Sequence, residues 1–160
     1  MNMTIRKFVP VLRPRQRGVA AIEFAAVFPI FLVVLAPLIL YARYQWHYTV
    51  AQKAAQDAAR YMSSVSAMEL RSPALAAYAQ AIAVQIARTE VTELAPGDVI
   101  ADAIVSCDGR NPCTVANGTA PPQNVSAELS FNFSDPIFNT YLGPYGMLID
   151  VKVTMRYVGH

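Results

Sequence analysis

A chain of 160 residues has room for one compact domain, and for only a small one if part of it is spent in a membrane. A hydrophobic fraction of 54% is high for a soluble protein, while 15% charged residues and 11 prolines argue against a chain that crosses a membrane many times. The net charge of +2 hides a split: five basic residues and no acid precede Val19, whereas eight basic and eleven acidic residues follow it.

The basic lead abuts an apolar run, and no aromatic residue interleaves Arg13, Arg15 and Arg17 to stack on bases, so a nucleic-acid partner is not expected. From Val19 to Ala42 the only charged side chain is Glu23. About 24 such residues suffice for a helix to cross roughly 30 Å of hydrocarbon. Three regions follow: a basic leader over 1–18, a transmembrane helix over 19–42 and an exported α+β domain over 43–160. The basic flank sets the N-terminus in the cytoplasm and the remainder outside the inner membrane. The apolar run exceeds the roughly 7–15 residues of a signal-peptide core and has no clear small-residue cleavage site after it, so it is expected to stay attached. Pro29 and Pro37 each remove a helical hydrogen bond and are expected to bend it.

Tyr41, Tyr44, Trp46 and Tyr48 mark the exit from the bilayer, with His47 beside them as an interfacial polar residue. From Val50 to about Met68 the pattern is helical: Ala51, Ala54, Ala58, Met62 and Val65 form an apolar stripe. Lys53, Gln56, Asp57, Arg60, Ser63 and Ser64 form the opposite face, with Lys53 and Asp57 spaced to pair across one turn. Nothing after Pro37 separates this helix from the apolar one, which predicts one long helix. Ser72-Pro73 supplies an N-cap and a first-turn proline for another helix, with Leu75, Tyr78, Ile82 and Ile86 on one face, ending near Ala95-Pro96-Gly97-Asp98.

The period then changes to two. Val125, Ala127, Leu129, Phe131 and Phe133 alternate with polar residues, as do Met147, Ile149, Val151, Val153, Met155 and Tyr157. Val99–Val105 is a weaker third strand because Asp102 spoils its alternation. About three antiparallel strands with helices on one face would bury all these stripes in one α+β core. Residues 106–124 and 135–146 read as loops. Cys107 and Cys113 lie outside the membrane and flank turn-forming residues, which predicts a structural disulfide. No metal is expected, since a structural zinc site needs about four ligands and only His47 and His160 could join the cysteines. Neither a cofactor nor an enzymatic activity is expected, for there is no glycine-rich phosphate loop and no metal-ligand cluster.

The stretch from Arg15 to Phe24 carries the functional signal. Gly18 has no side chain, so an enzyme at the membrane surface can hold the backbone extended there and cut between Gly18 and Val19. Glu23 near the start of a lipid-facing helix carries a desolvation cost, moderated by the interface and the positive helix end. Basic leader, Gly18, Glu23-Phe24 and an uninterrupted span together resemble a class III prepilin leader. Ala20–Ala25 with Pro29, and the alanine-rich Ala54–Tyr61, resemble the opening of TadE-like minor pseudopilins of tight-adherence (Flp/Tad) pili.

That resemblance implies a pilin-like fold, cleavage by a prepilin peptidase after Gly18, and partners among other pseudopilins and the pilus assembly platform in the inner membrane. It also implies a role for Glu23 and Phe24 in recognition and assembly, the Glu23 carboxylate meeting the new ammonium of a neighbour's Val19. Two other readings stay open. One is an uncleaved single-pass anchor for a scaffold or binding domain. The other is a pilus-associated adhesin using the loops around Cys107–Cys113 and Phe138–Tyr145.

Overall fold

A computed structural model of the chain describes residues 17–92, 94, 101–116, 118–134, 138, 142 and 146–159. The elements run α1 Arg17–Ser64, α2 Ala67–Arg71, α3 Pro73–Thr92, β1 Asp102–Cys107, β2 Asn124–Phe133 and β3 Met147–Arg156, an α+β chain as expected. Two compact units are present, Met1–Ile39 and Leu40–His160. α1 continues through Pro29 and Pro37.

In the second unit the sheet has the order β1-β2-β3, antiparallel throughout. Its unbroken registers place Val105 opposite Ala127 and Leu129 opposite Val151, so one face collects the apolar alternate residues. All five alternate apolar residues of β2, Val125 to Phe133, are buried. On β3, Ile149 and Val151 are buried, while Val153 and Met155 are only half-buried. The third strand is Asp102–Cys107, later than the expected 99–105, and residues 99–100 lie outside the described set. Asp102 does not disturb it, because that side chain is exposed on the polar face while Ala101 and Val105 are buried. The polar face is joined across strands by Ser126 with Thr154 (3.0 Å) and by Glu128 with Lys152 (3.2 Å).

α1 ends sooner than the expected Met68, at Ser64. Ser63 and Ser64 donate their hydroxyls back to the Arg60 and Tyr61 carbonyls at 2.8 Å, competing with the helical ladder. Ser66 and Glu69 then form a capping box that starts α2 as a new helix. The apolar stripe Ala51, Ala54, Ala58, Met62 and Val65 is buried as the periodicity requires. Ser63 departs from its expected polar face: it is buried, which its bond to Arg60 O permits.

The largest departure is on α3. Pro73 opens the helix, and the Ser72 carbonyl accepts from Ala76 N. Yet the buried face is Ala76, Ala79, Ala83, Ala87 and Val91, one residue round from the expected stripe; Leu75 is 50% and Tyr78 68% exposed, and Ile82 and Ile86 are half-buried. Five alanines of α1 (Ala51, Ala54, Ala55, Ala58 and Ala59) share the same core. Methyl-sized side chains let backbones approach closely, and the volume they leave is filled from the sheet and from Met62 and Leu70, each of which stabilises the fold by about 1.5–3 kcal/mol when fully buried. Lys53 reaches Glu90 of α3 at 3.8 Å, in place of the expected Asp57; this exposed pair contributes little.

His47, expected to be an interfacial polar residue, is buried instead. Its Nδ1–H donates to the Arg43 carbonyl at 2.8 Å, and its ring packs at 4.6 Å against Phe133, which Tyr44 also meets edge-on. An aromatic pocket from the end of β2 thus replaces the water that a histidine beside a membrane would find.

Candidate processing and assembly site

The Gly18–Val19 bond lies in the first turn of α1. The first four N–H groups of a helix have no intrahelical acceptor, and glycine weakens a helix by about 1 kcal/mol relative to alanine. Both effects let the chain at Gly18 leave the helix at small cost and present an extended backbone. A Cβ built on Gly18 would meet nothing within 4 Å, so its use is conformational freedom and access rather than fit against a neighbour. Arg13 and Arg15 lie outside the described residues, and of Arg17 only the backbone is described, at the helix start.

Val19, Glu23 and Phe24 are exposed, and Phe24 stacks on Phe28 one turn later with ring centroids 5.2 Å apart. Val19 and Glu23 stand four residues apart, hence on the same helical face. The apolar window of α1 has a mean hydropathy of 2.6 and none of it is buried within the chain. A surface of exposed Phe, Ile, Val and Leu of that length is compatible with a single-pass membrane anchor.

In the second unit, Cys107 and Cys113 form the expected disulfide, with Cα atoms 5.1 Å apart. Asp108 and Gly109 turn the chain with positive φ, and the Asp108 carboxylate accepts from the backbone N–H groups of Gln123 and Asn124, both at 2.9 Å. Gln80 of α3 donates to Val105 O at 2.9 Å and to Asn111 Oδ1 at 2.6 Å, and its Oε1 accepts from Cys113 N at 3.4 Å. Val115 N donates to the Leu70 carbonyl. This loop is a fixed part of the fold, tied to α2, α3 and β2. Of the other proposed adhesive loop, Phe138–Tyr145, only Phe138 and Leu142 are described, and Phe138 is buried.

Sequence reasoning missed Gln80, Asp108 and Tyr157 as organising residues. Asp108-Gly109 was visible as a turn, but nothing in a one-dimensional pattern pairs Gln80 with a strand 25 residues on. Among the described residues no group of three or more His, Cys, Asp or Glu side chains could hold a metal ion.

Neither the curated proteins nor the solved structures contain a match to this chain. The family model described as TadE-like protein does match, over residues 18–60, from Gly18 through Glu23-Phe24 to the alanine-rich outer half of α1. Those are the residues on which the sequence resemblance rests, and over residues 18–60 the chain is similar to the TadE-like family.

Proposed function

We propose that this chain is a minor pseudopilin of a tight-adherence pilus, made with a basic leader and cut by a prepilin peptidase between Gly18 and Val19. Its N-terminus faces the cytoplasm, the α1 apolar segment crosses the bacterial inner membrane, and the α+β unit stands in the periplasm. It is not an enzyme and needs no cofactor. Its chemistry is assembly with other pseudopilins and the inner-membrane platform.

The observation that supports this reading best is the coincidence of three features on one helix. α1 starts one residue before Gly18, it carries Glu23 as the sole charge from Val19 through Ala42 on an uncovered surface, and it holds residues 18–60 that the TadE-like family model matches. A carboxylate within an apolar span calls for a cationic partner. Cleavage creates one, the ammonium of Val19, and stacking of subunits sets that ammonium against a neighbour's Glu23.

Intact mass and N-terminal sequencing of the protein from its native membrane, with and without the prepilin peptidase, test the proposal. The expected outcome is a new N-terminus at Val19 that depends on the peptidase. A persistent Met1 form would instead make Arg13, Arg15 and Arg17 a topology signal for an uncleaved anchor.

A further inference from the structure

The ribbon of β2 and β3 opens beyond its last paired residues, Asn124 and Arg156. Gln123 and Tyr157 come next, opposite one another. Tyr157 N donates to Gln123 O at 2.9 Å, as in an antiparallel pair whose residues exchange two bonds. The return bond is absent, because Gln123 N donates to the Asp108 carboxylate instead, also at 2.9 Å. Pro122 and Pro121 precede Gln123, and neither has an N–H with which to resume the ladder. On the other side Val158 N leaves the sheet for Ser63 O. The two backbones part, and a groove of about 520 Å³ lies between residues 120–124 and 156–159. That volume falls within the roughly 300–1,000 Å³ of small-ligand sites.

The walls are fixed before anything binds. Asp108 holds Gln123 and Asn124 by their N–H groups, and the Tyr157 hydroxyl is tied to Val65 O. A Cβ on Gly159 would collide with Val65 O and with the Tyr157 ring, so this wall lies flat against the break between α1 and α2. A preformed groove leaves less to be ordered when a ligand enters.

Three features decide what fits. Arg156 is the only charged side chain among the described residues that line the groove; it is exposed and has no ion-pair partner among the described residues. Asp108 lines a separate, smaller cavity rather than this one. The Tyr157 carbonyl, deprived of Gln123 N, has no donor among the described residues. Pro121, Pro122 and Val158 supply apolar surface, Val158 being 59% exposed. An unpaired guanidinium suits a carboxylate, a free carbonyl suits an N–H, and the apolar wall suits a hydrocarbon side chain.

We infer that the groove binds the carboxy-terminal residue of a peptide chain whose last side chain is apolar. The carboxylate meets the Arg156 guanidinium, the N–H of the same residue donates to Tyr157 O, and its side chain lies on Pro121, Pro122 and Val158. A free carboxylic acid shares the first and third contacts but has no N–H for the second. All of these residues belong to the unit Leu40–His160, so the inference stands apart from membrane anchoring and from cleavage at Gly18.

NMR titration of the isotope-labelled full chain in detergent micelles tests it, with N-acetyl-leucine, N-acetyl-leucinamide and isocaproate as probes. N-acetyl-leucine should give saturable shifts at the Arg156 Nε–H and at the amides of Val158 and Gly159, with half-saturation below about 10 mM. The uncharged leucinamide should bind at least ~10-fold more weakly. Isocaproate keeps the side chain and the carboxylate but lacks the N–H, and should bind several-fold more weakly than N-acetyl-leucine. Arg156→Gln should reduce the affinity for N-acetyl-leucine to that of the leucinamide. Its melting temperature should stay within a few degrees of the parent, because the side chain is exposed. The absence of saturable shifts with N-acetyl-leucine, or undiminished binding by Arg156→Gln, would overturn the inference. So would equal binding of the leucinamide, which removes carboxylate recognition, and equal binding of isocaproate, which makes a free acid the ligand in place of a peptide.

Discussion

The Tyr157 hydroxyl donates to the Val65 carbonyl at 2.7 Å, across 92 residues of sequence, and both residues are buried. Val65 lies in the break between α1 and α2, where carbonyls have lost their helical donors. Val158 N supplies Ser63 O in the same place, so the strand that ends the sheet also finishes the helix. Tyr157→Phe leaves Val65 O without a donor in a dry setting and should cost about 1–3 kcal/mol. Chemical denaturation of the purified protein would show this as a lower midpoint with an unchanged slope.

The same contact gives an alkaline signature. Burial first, and the Glu69 carboxylate second, raise the Tyr157 pKa above the ordinary 10.0. The folded state therefore holds this proton more tightly than the unfolded state. The stabilisation is complete below pH ~10 and is lost as pH rises through the folded value. The denaturation midpoint should fall more steeply above pH ~10 in the parent than in Tyr157→Phe, and equal slopes in the two proteins would remove Tyr157 as the cause.

Most elements were legible because each follows a short-range rule. Period-two alternation located β2 and most of β3, the alanine-rich period of α1 gave its buried stripe, and Cys107–Cys113 followed from the turn-forming residues between the two cysteines. What was hidden depends on distant partners. Hydrophobicity ranks Leu75 and Tyr78 above Ala76 and Ala79, so a one-dimensional stripe names the wrong face when tight packing, rather than bulk, decides which side is buried. His47 was misplaced for a similar reason: Phe133, 86 positions away, supplies its cover. At the candidate site the family similarity was readable because it is carried by one contiguous stretch, residues 18–60.

Ala83 and Tyr78 measure the inverted face of α3 directly. Ala83 is wholly buried, so Ala83→Leu should cost about 1–3 kcal/mol through overpacking, because added methylenes in a close-packed core force off-rotamer side chains and backbone shifts. Tyr78→Ser removes a side chain that is 68% exposed and should change stability by no more than about 0.5 kcal/mol. Thermal melts of the two variants in the same detergent would reverse in order if the bulky residues faced inward.

The disulfide encloses a short loop, and closing about seven residues removes roughly 2–3 kcal/mol of unfolded-state entropy. The double variant Cys107→Ser, Cys113→Ser should lose about that much stability. The loop keeps its Asp108 and Gln80 anchors, so the loss should stay near this figure rather than abolish folding. An adhesive role for the loop would appear as reduced attachment with pilus number unchanged; loss of pili together with attachment would mark it as structural.

Glu23 is the residue at which the proposed processing and assembly roles can be told apart. On the proposed reading the cut falls at Gly18–Val19, five residues before Glu23, so Glu23→Ala should leave leader removal largely intact. Assembly would differ: a subunit bearing the proposed free Val19 ammonium needs a counter-charge in the apolar region, and from Val19 through Ala42 the only charged side chain is Glu23. Glu23→Ala should therefore yield mature chain, with its N-terminus at Val19, that fails to co-purify with its assembly partners. Glu23→Asp, keeping the charge on a shorter arm, should recover part of that association, and Glu23→Gln should not. Normal co-assembly of Glu23→Ala would detach the carboxylate from assembly and leave it as a residue that merely reaches toward the interface.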